Sequence, residues 1–71
     1  MLRKKRSFKR LTELELAKRI GVTEGYISKL ENHPEKCNPT VNLILKLSRE
    51  LNINPLKIFL FFIKDKKDQD N

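Results

Sequence analysis

The residues able to do chemistry in this chain are hydrogen-bonding and charged groups at helical spacing. Thr23, Glu24, Gly25, Tyr26, Ser28, Lys29 and Asn32 are interleaved with Ile27 and Leu30. Ile27 and Leu30, spaced three apart, mark the inward stripe of a helix. The others then share an outer face without a large aliphatic residue, so that face need not be buried. Hydroxyl, amide and ammonium groups on such a face suit ion pairing and hydrogen bonding to a polar partner. The chain has no Ser/His/Asp set, no Gly-rich phosphate loop and no paired-carboxylate pocket. No enzymatic activity and no cofactor is therefore expected. His33 has no clustered Cys or carboxylates around it and reads as a loop residue, not a metal ligand. Cys37, the single cysteine, reads as an incidental thiol.

The 71 residues hold 16 Lys+Arg against 9 Asp+Glu, a formal net charge of +7. That excess points to a polyanionic partner, nucleic acid ahead of an acidic membrane surface. Hydrophobic residues make up 38% and glycine only 2 positions, which excludes collagen-like and plainly disordered classes. A domain this small buries about 60% of its unfolded surface, so its core must be dense. The length suggests one domain over residues 1–63 and a polar tail over 64–71, with no room for a ligand-sensing domain. Control is then expected through oligomerisation or a second regulatory protein. One cysteine allows no internal disulfide, and the basic start is followed by no apolar run of a secretory signal. Ile58–Ile63, the longest apolar run, is far below the ~18 residues of a membrane span. A cytoplasmic protein is the expectation.

The elements that must position the polar face follow from caps and periodicity. Residues 1–10 carry six of the sixteen basic residues and no acid, and read as a weak helix or a partly ordered arm. A helix over 12–20 opens on Thr12, with Glu15 completing a capping box. Leu16, Ala17 and Ile20 form its buried stripe, Leu11 packs at its start, and Gly21 ends it. Thr23 caps the next helix, with Glu24 in the first turn where the helix dipole favours an acid. Asn32-His33-Pro34 breaks that helix, and a loop runs over 33–39. Thr40 caps a third helix over 41–51, with Val41, Ile44, Leu47, Ser48 and Leu51 on one face and Asn52 at its end. Asn54-Pro55 starts a last helix over 55–63. So short a link around Gly21 forces a steep crossing, which small Ala17 tolerates, while Val22, Ile27 and Leu30 plug the gap. That is what a helix-turn-helix requires.

The run Leu11-Thr12-Glu13-Leu14-Glu15-Leu16-Ala17-Lys18-Arg19-Ile20-Gly21-Val22-Thr23, followed by Tyr26-Ile27-Ser28-Lys29-Leu30-Glu31-Asn32, resembles the lambda-repressor-like (Xre/Cro-type) helix-turn-helix family. Asn38-Pro39-Thr40-Val41 and Leu47 to Phe59 resemble that family's fourth and fifth helices. The similarity covers roughly residues 2–60. It implies a compact all-α, five-helix domain that binds double-stranded operator DNA as a transcriptional regulator, commonly a two-fold dimer and here expected to be a repressor. By the same resemblance, base-edge contacts fall to Thr23, Glu24, Gly25, Ser28 and Lys29. Tyr26 and Asn32 match backbone contacts, and Thr12 and Glu13 complete the DNA-facing set. Arg6 and Glu31 match an ion pair that holds the recognition helix, bidentate where geometry allows.

The chain also departs from the family pattern. Glu13 stands where a phosphate-touching Gln is common. Lys5 stands where an apolar residue is usual, which makes Phe8 a candidate core residue. The His33–Cys37 loop is about two residues longer than the common form. Gly25 offers no side chain, and Glu24 could accept only from cytosine N4. Direct readout then rests on Lys29 to guanine, aided by Ser28 and Thr23, over a large phosphate contribution.

In the last helix seven of the eight residues Leu56 to Ile63 are apolar and surround it. Ile58, Phe59 and Phe62 are expected in the core. Leu56, Leu60, Phe61 and Ile63 are then left outside as a homodimer surface. Two competing readings remain. One is a protein-interaction module, such as an antitoxin or a cofactor of a larger regulator, favoured by Glu13, Glu24 and Gly25. The other is a membrane-surface domain, disfavoured because its basic and apolar features lie on separate elements.

Overall fold

The computed structural model describes the backbone of residues 1–69 and the side chains of residues 1–64. Its helices are α1 (Leu2–Phe8), α2 (Glu13–Ile20), α3 (Glu24–Asn32), α4 (Val41–Leu51) and α5 (Pro55–Gln69), with a 3-10 turn at Pro34–Lys36 between α3 and α4. The described residues contain no strand, and the fold is the all-α five-helix one.

Each boundary has a local cause. Thr12 Oγ1 accepts from Glu15 N at 3.0 Å, and Thr12 N donates to Glu15 Oε1 at 2.9 Å, closing the capping box. Two backbone donors that the first turn of α2 would leave idle are thus satisfied. Gly21 ends α2 at φ 77°, a conformation that costs a residue with a Cβ more. Thr40 Oγ1 accepts from Leu43 N at 3.1 Å to start α4, and Asn52 ends it at φ 55°. Ser48 Oγ donates to Ile53 O at 2.5 Å across that end. Asn54 Oδ1 accepts from Leu56 N at 2.8 Å to start α5.

The core collects one stripe from each helix. Leu16, Ala17 and Ile20 of α2 meet Ile27 and Leu30 of α3 and Leu43, Ile44, Leu47 and Leu51 of α4. Ile58 and Phe62 of α5 close it, with Ile53 and Leu11 filling from the links. Side chains as fully enclosed as Leu16, Ile27, Leu30, Leu47, Leu51 and Ile58 each contribute about 1.5–3 kcal/mol of transfer free energy. The 3-10 turn packs on α3 and α5, and carries Cys37 into the core. Cys37 therefore fills space in the core.

Several expectations from the sequence need correcting. Phe8 is 85% exposed, and Leu2 is the buried residue of α1. Leu2 and Arg6 lie one turn apart on the face that meets the domain, and Phe8 falls on the opposite one. Lys5 is accordingly exposed. Val41 is exposed and Leu43 is buried, because the stripe of α4 centres on Leu47 and Leu51 and Val41 lies at its margin. Phe59 is exposed, while Phe61 packs partly on the core and meets Phe62 edge-to-face at 5.1 Å. Ile58 and Phe62, spaced four apart, set the inward direction of α5 and turn Phe59 away from it. Helix α5 also runs to Gln69, past the expected end at Ile63, since no Gly or Pro interrupts 64–69. Of the expected polar tail, residues 70 and 71 lie outside the described residues.

Candidate nucleic-acid interface

Helix α3 is held at both ends and leaves its outer face open. Thr23 Oγ1 accepts from Tyr26 N at 3.1 Å and fixes the first turn. Ile27 and Leu30 anchor the helix in the core. Thr23, Glu24, Gly25, Lys29 and Asn32 are exposed, and Ser28 is half-buried. At Gly25 an added Cβ would meet nothing within 4 Å, so the backbone there is bare to solvent. Tyr26 leans back onto the core. Burial, then the charge of Cys37, pushes its hydroxyl above the ordinary tyrosine range.

The far end of α3 is tied to α1 by charge. Arg6 Nε donates to Glu31 Oε2 at 2.6 Å, and Nη2 donates to Oε1 at 3.1 Å. A second anchor runs from Arg6 Nη1 to Leu11 O at 2.7 Å. The Glu31 side chain is 1% exposed and that of Arg6 13%. Arg3, missed as a site residue from sequence, joins the same carboxylate from Nε at 3.3 Å. It also donates from Nη2 to Asn32 Oδ1. Its place one turn before Arg6 on α1 was the available signal. Asn32 Nδ2 in turn donates to Ser28 Oγ at 3.2 Å.

The opening of α2 joins this cluster. Thr12 is exposed, with its hydroxyl oxygen engaged as the cap. Glu13 is half-buried and shares a hydrogen bond with Glu31. Burial, and then that bond and the charge of Glu31, push the Glu13 carboxyl above its ordinary range, against the pull of Arg6 and Arg3. Burial also pushes the Glu31 carboxyl up, but the hydrogen bonds from Arg6, Glu13 and Arg3 outweigh it and leave it below its ordinary range. Glu31 is thus the stronger acid of the two. The hydrogen bond to Glu31 raises the Arg6 pKa further.

Two short helices joined through a left-handed Gly21, the second with a polar outer face and a cationic tie at its end, are the geometry of a helix-turn-helix. A family profile described as helix-turn-helix matches residues 2–58. The chain belongs to the lambda-repressor-like helix-turn-helix family. It is therefore a DNA-binding regulatory domain by family. Nothing among the curated proteins matches the chain, and no solved structure does. In this helix-turn-helix, α2 is the supporting helix and α3 the second, outward one. Thr23, Glu24, Gly25, Lys29 and Asn32 come together on the open face of α3, while Tyr26 and Glu13 are drawn inward. No helix among the described residues is long and apolar enough to cross a membrane.

Proposed function

We propose that this protein is a sequence-specific, double-stranded DNA-binding regulator that lays α3 in the major groove. The observation that carries this reading is the face of α3 itself. It is polar, uncovered by its own chain, and joined at its end to Arg3 and Arg6. A helix of this width fits the major groove of B-DNA. Lys29 is the strongest candidate for a base, as a donor to guanine, with Thr23 and Ser28 beside it. Thr12, Tyr26 and Asn32 serve the sugar-phosphate backbone. Glu24 and Gly25 lie against the groove, and Gly25 lets the backbone approach closely. Glu13 stands beside Arg6 and Arg3, whose charges offset its carboxylate near phosphate. Occupying a site excludes other proteins from it, so repression in the cytoplasm is the action we propose.

Helix α5 supports action as a homodimer. Leu56, Phe59, Leu60 and Ile63 are exposed and recur at spacings of three, four and seven, a second apolar stripe opposite Ile58 and Phe62. Phe61, half-buried, edges the core instead. Pairing two copies through this stripe would set the two α3 helices about one DNA turn apart, ~34 Å. A second regulatory protein on the same stripe is the competing occupant, which the reading as an interaction module requires.

Selection of bound sequences from a random duplex pool tests the reading. Enrichment of an inverted repeat is the expected result. Lys29→Ala should weaken binding to the selected site more than to random duplex, and equal loss on both would reduce Lys29 to a phosphate contact. Absence of any duplex binding at low salt would refute the assignment.

A further inference from the structure

The hydrogen bonds at the end of α3 run in one direction, and that direction decides what Ser28 offers. Arg3 carries donors only. Its Nη2 donates to Asn32 Oδ1, and its Nε donates to Glu31 Oε1 at 3.3 Å. The Asn32 amide oxygen is thereby turned to Arg3 and the amide nitrogen to Ser28. Asn32 Nδ2 donates to Ser28 Oγ at 3.2 Å. The Ser28 hydroxyl, accepting from Asn32, keeps its own proton for another acceptor, and an accepted bond strengthens the one it gives. Without Arg3 the Asn32 amide is at liberty to turn over. Its oxygen would then take the Ser28 proton and leave the hydroxyl oxygen to accept instead.

We propose that Arg3 is a positioning residue for base recognition. Acting through Asn32, it sets Ser28 as a hydrogen-bond donor at the base step that Ser28 faces. This rests on the reading of α3 as the helix in the groove. A donor there selects an acceptor edge, purine N7, guanine O6 or thymine O4. It rejects cytosine, whose major-groove edge presents the N4 donor. Arg3 is half exposed, at 55% of its side chain. A role in gripping phosphate directly is therefore the rival that the test must separate.

The test uses the full chain and the duplex enriched from a random pool, with each base pair varied in turn. The variants are Arg3→Met, Asn32→Ala, Ser28→Ala and the Arg3→Met/Ser28→Ala double. Wild type should discriminate against cytosine at one position. Arg3→Met and Asn32→Ala should each relax that discrimination about fivefold, the scale of one hydrogen bond. The double variant should relax it no further than Ser28→Ala alone. Asn32→Ala leaves the Arg3–Glu31 pair in place, so it reports even if Arg3→Met fails to fold. Equal weakening of Arg3→Met on every sequence, with a shallower salt dependence by about 0.9 in the log-log slope, would overturn the proposal and make Arg3 a phosphate contact. Unchanged discrimination in both single variants would also overturn it. Wild type binding no duplex at all would remove the DNA reading itself, a result distinct from binding retained without cytosine discrimination.

Discussion

Arg6 grips Glu31 with two nitrogens, at 2.6 and 3.1 Å, and spends its third on Leu11 O at 2.7 Å. One side chain thereby ties α1, the start of α2 and the end of α3. The carboxylate it holds is 1% exposed, so that charge has little water to fall back on.

Removing one partner should therefore cost more than the pair contributes. Arg6→Met leaves the enclosed Glu31 with Arg3 alone and should destabilise the fold by about 3 kcal/mol. A domain of this size holds roughly 5 kcal/mol in total, so urea titration should show it largely unfolded in mild denaturant. The Glu31 carboxyl sits below its ordinary range when folded. Its stabilisation is complete above the ordinary carboxylate range and lost as pH falls through the folded value. Glu31→Gln, less stable at neutral pH, should lack that part of the acid loss.

Glu13 titrates in the opposite sense. Its folded carboxyl lies above its ordinary range, so the folded protein binds that proton more tightly than the unfolded chain. The favourable contribution is present below the ordinary carboxylate range and disappears as pH rises through the folded value. Glu13→Gln, which copies the protonated form, should raise the melting temperature at pH 7 relative to wild type. The gain should stay below about 1 kcal/mol, since the site is half open to water. It should vanish in acid. Thermal melts at several pH values check this, and a gain persisting in acid would contradict it.

At Gly25 stability and binding should part company. No atom lies within 4 Å of an added Cβ, and φ there is not positive. Gly25→Ala should thus stabilise α3 by about 0.5–1 kcal/mol. The new methyl stands on the face proposed to meet DNA, so affinity for the selected duplex should fall while the melting temperature rises. Unchanged affinity would put position 25 outside the contact.

The apolar stripe of α5 should respond to one charge. Leu60 is 50% exposed, so Leu60→Lys should leave the helical content intact. Sedimentation equilibrium should then give a monomer where wild type gives a dimer. Binding to an inverted repeat should weaken with it, and binding to an isolated half-site should not. A wild-type monomer at high micromolar concentration would count against the pairing.

Caps and spacing announce most of this fold before any coordinates. Thr12 with Glu15, Gly21, Thr23, Thr40 and Asn52 each sit where a helix begins or ends, because capping is local chemistry. Where a helix has two candidate inward faces, spacing alone does not choose. In α5 the stretch from Leu56 to Ile63 is apolar at all but one position, and only contact with α4 and the 3-10 turn turns Ile58 and Phe62 inward and Phe59 out. In α1 the choice between Leu2 and Phe8 is made by Arg6, which must reach Glu31 on a helix distant in sequence. The polar face of α3 is legible for the same reason as its core stripe, since one implies the other. The Arg3–Asn32–Ser28 chain is not, because it joins α1 to α3 across twenty-nine positions.

Cys37 gives the molecule an internal clock. It is 3% exposed, just after the 3-10 turn that packs on both α3 and α5. An alkylating reagent must wait for that seam to part before it meets the sulfur. The speed of labelling thus counts spontaneous openings, and a duplex that grips α3 should make the clock run slow.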